Sequence, residues 1–507
     1  MVISQGVGDM TDYIGRVVGE STDTILVRCT YDTDVWLGDM LVVEDIENGI
    51  RYLLRVVEIK HGADSLDPSW FSRTAGSMIF MDRAGERFEM HEKERRLYKL
   101  TICTPLGTIG ETFRKSKTIP HHFSKVYKPR EEDLDFLNEY MGDLEIGAIR
   151  SGSSSELRVK IDGNSFPHHI GIFATTGMGK SNFMKVLAKA SMESGRYGLL
   201  IFDPHGEYYD GGSRGKLGLK EVGDLLYFSS RPRSGGSMIS IRADEITVSD
   251  LMELFTFSDA QIESIYLTRA VYGEDYLKKI EEKELDELRE DLGNRVHETT
   301  LNVLKRRLEV IFRSDVISNL SMTNSIIDAL GMGMVVVVDT AGLGYLEENL
   351  VMNLITRRVY ESHRRTYRDR GRFEKLNPTA IVIEEAQRLL SKESSIFSTI
   401  AREGRKFKLG LCAISQQPKL IDPQLLSQFN TLIILGLADQ RDRDILMSSS
   451  KQDISKMGGE IQSLMPGEGI ITSPYAPFAI SVQIHEFEKI TQKRRRAKRE
   501  GLDEDFY

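Results

Sequence analysis

The apolar run Ile170-Gly-Ile-Phe173 leads straight into Ala174-Thr-Thr-Gly-Met-Gly-Lys180-Ser181, and the helix-forming stretch Asn182-Phe-Met-Lys-Val-Leu-Ala-Lys-Ala190 follows. A buried strand that passes through a glycine-containing turn into a helix is the building unit of an α/β sheet, and it constrains this chain more than any other feature. The turn also carries chemistry. A helix N-terminus presents unpaired backbone N–H groups and the positive end of its dipole, Gly177 and Gly179 let the backbone close around oxygen atoms, and Lys180 adds a mobile positive charge. The segment therefore reads as a phosphate-binding loop, with Thr176, Gly177, Met178, Gly179, Lys180, Ser181 and Asn182 expected around a bound nucleotide and the Ser181 hydroxyl suited to Mg²⁺. One position departs from the usual pattern, since Ala174 stands where a first glycine is common. A methyl there is tolerable, because the phosphate contacts come from the later part of the loop.

Further apolar runs, Leu199–Phe202, Val335–Val338, Ile381–Ile383, Leu411–Ile414 and Leu432–Leu435, alternate with helical segments from about residue 150 onward. Continuous β-branched runs separated by helices predict a parallel sheet covered on both faces. Between the first and second of these runs, residues 245–325 carry a capping-box signal at Ser258–Gln261, apolar spacing at Ile262, Ile265 and Tyr266, and a helical period through Leu301, Leu304, Leu308 and Ile311. This predicts an inserted helical bundle. Short strand-like runs fill the segment before residue 110, with Asn48-Gly49 as a hairpin signal, and predict a small barrel or sandwich. The expected domains are a β-barrel over 1–110, a connector over 111–150, an α/β core split into 151–244 and 326–485 around the bundle at 245–325, and a charged tail over 486–507.

No apolar run is long enough for a membrane helix, and the first residues lack the basic and apolar regions of a secretion signal, so a cytoplasmic protein without a membrane is expected. Cys29, Cys103 and Cys412 have no metal-ligand spacing and are expected to be buried thiols. The formal net charge of −9 argues against a uniformly basic surface, although a basic channel can coexist with an acidic exterior.

Hydrolysis of a nucleotide needs a carboxylate for Mg²⁺, a second to activate water, and positive charge on the transferring phosphoryl group. Ile381-Val-Ile-Glu384-Glu385 places two carboxylates at the end of a buried strand, with Glu384 expected at the metal and Glu385 as general base. Neighbours on a strand point to opposite faces, but the chain turns here, so both can approach one site. Gln416, directly after the run ending at Ile414, is expected to sense the terminal phosphate. Arg405, in Ala401-Arg-Glu-Gly-Arg-Lys-Phe-Lys408, is either a solvated surface residue or an arginine finger. Asp203 and Glu207, in Asp203-Pro-His-Gly-Glu-Tyr208, could help order metal-bound water; His205 receives no role.

Together the loop at 174–181, Phe202–Tyr208, Ile383–Gln387, Ile400–Phe407 and Ser415–Pro418 resemble the HerA branch of the HerA/FtsK DNA-translocase ATPases. The resemblance implies a RecA-like P-loop ATPase domain with an inserted helical bundle and a small N-terminal barrel like the HAS barrel. It implies ATP and Mg²⁺ as cofactors, a homohexameric ring moving on double-stranded DNA, and a NurA-like nuclease as partner in end processing. It assigns Lys180 and Ser181 to ATP and Mg²⁺, Glu384 and Glu385 to the acidic pair, Gln416 to sensing, and Arg405 to a finger reaching a neighbouring subunit. The chain departs from the family pattern at Ala386-Gln387, where Ala-His is common, and ahead of the loop, where Pro167-His168-His169 stands. The DNA grip is open between a surface loop and a pore loop at 211–216, with Arg214 and Lys216 as contacts. The basic run at 493–499 is either a DNA contact or a brace on an adjacent subunit. An alternative reading is a ring-forming scaffold that assembles a nuclease or defence effector, with DNA motion secondary.

Overall fold

Parallel strands buried on both faces make up the centre of the larger of two compact units. The computed structural model describes residues 12–65, 67, 69–85, 93–150, 157–212, 216–233, 235–293, 295–391 and 395–500. One unit comprises 1–141, 148–159 and 452–483, and the other 142–147, 160–451 and 484–507.

The first unit is built on a closed barrel of β1 (Tyr13–Glu20), β2 (Ile25–Thr30), β3 (Met40–Asp45), β4 (Ile50–Ala63), β5 (Leu97–Ile109) and β6 (Lys125–Tyr127), in the order β1-β2-β5-β4-β3-β6. Alternating side chains fill its interior, among them Val27, Leu41, Val43, Tyr52, Leu54 and Val56. The β3–β4 turn forms at the predicted Asn48-Gly49: the Asn48 amide donates to the Asp45 carboxylate at 3.2 Å, and Gly49 takes φ +66°. Two features of this unit escape the sequence pattern. Closure comes from β6, which lies in the segment expected to be a connector and is too short, at three residues, to leave a periodic signal. A helix, Trp70–Ala84, occupies the excursion between β4 and β5. Cys29, Cys103 and, in the second unit, Cys412 are buried free thiols, as expected.

β7 (Leu144–Ile149) and β8 (Arg158–Ile161) each have residues in both units; the second unit then holds β9 (Ile170–Phe173), β10 (Gly198–Asp203), β11 (Leu226–Ser229), β12 (Ser237–Met238), β13 (Val335–Asp339), β14 (Thr379–Ile383), β15 (Leu409–Ser415) and β16 (Thr431–Ile434). Strands β9 to β16 line up as β12-β11-β13-β10-β14-β15-β9-β16 with parallel pairing throughout. Every residue of β9, β10, β13, β14, β15 and β16 is buried, which is why these segments read as unbroken apolar runs. A parallel sheet puts all strand C-termini at one edge, and the chain leaving β9, β14 and β15 turns there. This edge gathers Lys180, Ser181, Glu384, Glu385 and Gln416.

Helices lie between β12 and β13, including Val248–Leu254, Asp259–Tyr272, Leu285–Asp291 and Glu298–Phe312. The capping box at Ser258 forms, with the Ser258 N–H donating to Gln261 Oε1 at 3.1 Å. Leu301, Leu304, Leu308 and Ile311 are buried as their spacing predicts, whereas Tyr266 is exposed and Ile265 carries the buried contact of its turn. Arg357, on the helix Tyr345–Thr366, ties this region down through the Asp250 carboxylate (2.8 Å) and the Glu245 carbonyl (2.8 Å). Among the described residues no helix is long and apolar enough to cross a membrane.

Candidate active site

β9 ends at Phe173, and the chain turns through Ala174–Gly179 into the helix Lys180–Ser194. Gly177 takes φ +85° and Gly179 φ +102°, conformations that L side chains rarely adopt, so the two glycines shape the turn. The Ala174 N–H donates to the Ser415 carbonyl and the Thr175 N–H to the Gly436 carbonyl, which fixes the loop over the ends of β15 and β16. Lys180 Nζ folds back onto the carbonyls of Ala174 (3.1 Å) and Thr175 (3.2 Å). Burial lowers the pKa of this ammonium, while the charges of Glu385 and Glu384 pull it the other way. Ser181 is the second residue of the helix, directly behind the turn. Asn182 is differently engaged: its amide donates to the His485 carbonyl at 2.8 Å and accepts from the Phe487 N–H at 2.9 Å, tying down the start of the helix Phe487–Glu500.

Glu384 and Glu385 follow β14, whose neighbours are β10 on one side and β15 on the other. The two carboxylates part between those neighbours. Glu384 faces β10, where Tyr208 OH donates to Oε1 at 2.5 Å and His205 Nε2 stands 3.6 Å from Oε2. Glu385 takes φ +48°, a left-handed conformation that costs a non-glycine residue about 1 kcal/mol or more. That turn carries its side chain toward β15. There Gln416 Nε2 donates to Oε1 at 3.0 Å and Gln387 Nε2 donates to Oε2 at 2.6 Å. Both carboxylates thus leave the strand at its C-terminal end, facing different neighbours.

Gln416 is bonded on its other side as well, its Oε1 accepting from Thr176 Oγ1 of the phosphate loop at 2.6 Å. Because β15 lies between β9 and β14, a residue at its end bridges the loop and the acidic pair. Asp203 is fully buried, its carboxylate accepting from the backbone N–H groups of His205 (3.1 Å) and Tyr208 (2.9 Å). It therefore holds the turn that presents Tyr208, and its oxygens are committed to that turn. The sequence reading missed two contributors. Tyr208 was visible only as the end of a motif, and Gln387 only as a departure from the family pattern.

Burial raises the Glu384 carboxyl to about 7, with the nearby Asp203 charge acting the same way and the Tyr208 hydroxyl opposing it. Its folded pKa lies above the ordinary carboxyl value, so the contribution of this group to stability is present at acid pH and is lost as the pH rises through about 7. A Mg²⁺ ligand at Glu384 would have to be in the ionised form. The Mg²⁺ concentration for half-maximal hydrolysis should rise roughly tenfold between pH 8 and pH 6, and Tyr208→Phe should move that transition to higher pH. Mg²⁺ titrations of steady-state hydrolysis at saturating ATP check both.

Arg405 and the two histidines lie at the opposite edge of the sheet. Arg405 is exposed, on the short 3-10 helix Gly404–Phe407 that enters β15 at Leu409. The seven residues of β15 separate it from Ser415 and Gln416 by about 20 Å at the usual rise per residue. Its charge falls instead on His168 and His169, which precede β9. His169 is buried, its pKa pushed down to about 4 by desolvation, and its neutral Nδ1 accepts from the Leu411 N–H at 3.0 Å. It is a structural tie between β9 and β15. Of the two segments considered for DNA, Arg214 and the side chains from 494 onward lie outside the described residues; the backbone of 493–499 is helical.

Glycines opening the turn, an ammonium within it, a hydroxyl on the helix start and a largely buried carboxylate fit a nucleoside triphosphate with Mg²⁺. Mg²⁺ needs few protein ligands when phosphate oxygens and water complete its shell. The family model described as the central domain of the helicase HerA matches residues 144–359. The chain is similar to HerA-type ATPases. Similarity to HerA relatives extends beyond the matched domain. The chain is 27% identical over 492 residues to the DNA double-strand break repair helicase HerA of Saccharolobus solfataricus, covering 94% of this chain and 92% of that one. It is 26% identical to the protein of the same description from Pyrococcus furiosus, covering 96% and 94%. Among solved structures, the plasmid coupling protein TrwB in complex with an ATP analogue shares 14% identity, with a TM-score of 0.47 over 65% of this chain and 87% of that one.

Proposed function

We propose that this HerA-type chain is an ATP-driven translocase on double-stranded DNA that works as a homohexameric ring. The observation that carries the reading is the division of the ATPase machinery between two edges of one sheet. Lys180, Ser181, Glu384, Glu385 and Gln416 stand at the C-terminal edge, and Arg405 at the other. A guanidinium about 20 Å from its own phosphate loop by strand rise can serve as a finger only for a neighbour. A head-to-tail arrangement that brings one subunit's Arg405 to the next subunit's loop closes into a ring.

Within each site, Gly177 and Gly179 shape the cradle, Lys180 and the helix N-terminus bind the phosphates, and Ser181 with Glu384 would hold Mg²⁺. A metal held there would supply positive charge against the phosphates. Glu385 takes the proton of the attacking water, and Gln416 couples that event to the loop through Thr176. The helices at 245–325 are read as a bundle inserted into a RecA-like core, and the barrel as the HAS-barrel counterpart. The names of the relatives, double-strand break repair helicases, support duplex DNA as the track, and a NurA-like nuclease is the partner proposed for end processing. With a net charge of −9, the grip must come from a local basic surface inside the ring, independent of base sequence and weakened by salt.

Hydrolysis should be stimulated several-fold or more by duplex DNA of any sequence, and the stimulation should fall steeply with added salt. Hydrolysis indifferent to DNA, with ring assembly and partner recruitment intact, would favour a nucleotide-assembled scaffold instead.

A further inference from the structure

The Glu385 carboxylate is bonded on both oxygens by side-chain amides, and the two amides differ in how firmly they are held. Gln387 donates to Oε2 at 2.6 Å while its own Oε1 accepts from Ser415 Oγ at 2.6 Å, and Ser415 is buried. Gln416 donates to Oε1 at 3.0 Å, and its carbonyl oxygen accepts from Thr176. Thr176 is exposed and sits in the phosphate loop itself. One amide is anchored in the core, and the other is anchored to the part of the loop that phosphate oxygens would approach.

Two donors on an ionised carboxylate occupy the oxygen lone pairs that a proton acceptor needs and fix its terminal rotation. Both effects oppose the work of a general base. We propose that Gln387 and Gln416 form an amide clamp that restrains Glu385, with Gln387 the fixed jaw and Gln416 the jaw released when nucleotide phosphate competes for the Thr176 hydroxyl. The proposal rests on the reading of Glu385 as the base. It makes Gln387 a positioning residue that limits turnover in the absence of DNA. The clamp links occupancy of the loop to readiness of the base through a continuous chain, Thr176 to Gln416 to Glu385 to Gln387 to Ser415.

The test is steady-state ATP hydrolysis by the full chain with and without duplex DNA, for Gln387→Ala and separately for Ser415→Ala, which frees the anchored amide without touching the carboxylate. The expected result is a DNA-free kcat raised about threefold or more, an unchanged KM for ATP, and a reduced ratio of DNA-stimulated to basal rate in both variants. A fall in both rates with the ratio preserved, or no change in either, overturns the clamp. Glu385→Gln separates the two levels of the argument. If that variant still hydrolyses ATP, the base assignment itself has failed; if it is inactive while Gln387→Ala lowers both rates together, only the clamp is wrong.

Discussion

Glu385→Gln is expected to lower kcat for ATP hydrolysis by about 10²–10⁴, the range for removal of a positioned general base, while nucleotide binding survives. The substitution keeps the length and shape of the side chain, so the phosphate loop, Lys180 and the Glu384 carboxylate stay where they are. What it removes is a group able to accept the proton of the attacking water. It also places an amide against the Gln387 and Gln416 amides, which now donate to Glu385 at 2.6 Å and 3.0 Å. A primary amide has one acceptor oxygen, so at least one of those bonds is lost, at a cost of about 1 kcal/mol. Folding therefore survives the change, and equilibrium binding of a fluorescent ATP analogue alongside steady-state hydrolysis separates the two effects. Equal loss of binding and turnover would mean that Glu385 organises the loop and is not the base.

Arg405→Ala should be comparably severe, about 10³–10⁵ in kcat if Arg405 is a finger that stabilises the transferring phosphoryl group. The geometry makes a sharper statement about where that loss is felt. Arg405 is exposed on the chain entering β15, and the Glu385–Gln416 pair sits at the other end of the same strand. A subunit carrying Arg405→Ala thus has its own hydrolytic centre intact, and a subunit carrying Glu385→Gln has its own finger intact. Mixed before assembly, two inactive proteins should recover activity wherever a neighbour pair combines the intact centre of one with the intact finger of the other. Random mixing in equal amounts yields such a pairing at about a quarter of interfaces. A finger acting within its own chain gives no recovery at any ratio. Hydrolysis rates across a mixing series distinguish the two.

The parallel sheet was legible because strands buried on both faces leave unbroken apolar runs, as at Val335–Val338 and Leu411–Ile414. The phosphate loop and the acidic pair were legible because their chemistry demands particular residues at strand ends. What escaped was set by contacts between distant segments. The three-residue β6 is stabilised by its ladders to β1 and β3, and three residues carry no period of their own. Tyr208 and Gln387 gain their meaning only when β10, β14 and β15 lie side by side. Asn182 shares the loop's helix, yet its amide is spent on His485 and Phe487, more than 300 positions away in the chain. The distance between Arg405 and the loop was likewise invisible in a linear reading, because both adjoin strands that are neighbours in the sheet. Only the shared direction of β9 and β15 puts them at opposite edges.

In the proposed function, hydrolysis at this edge drives motion along duplex DNA. The most direct measurement is ATP-dependent displacement of streptavidin from the biotinylated end of a linear duplex. The account predicts displacement that requires hydrolysable ATP, does not depend on base sequence and is absent in the Glu385→Gln protein. Retention of streptavidin by a protein that binds the same duplex and hydrolyses ATP at the DNA-stimulated rate would contradict it.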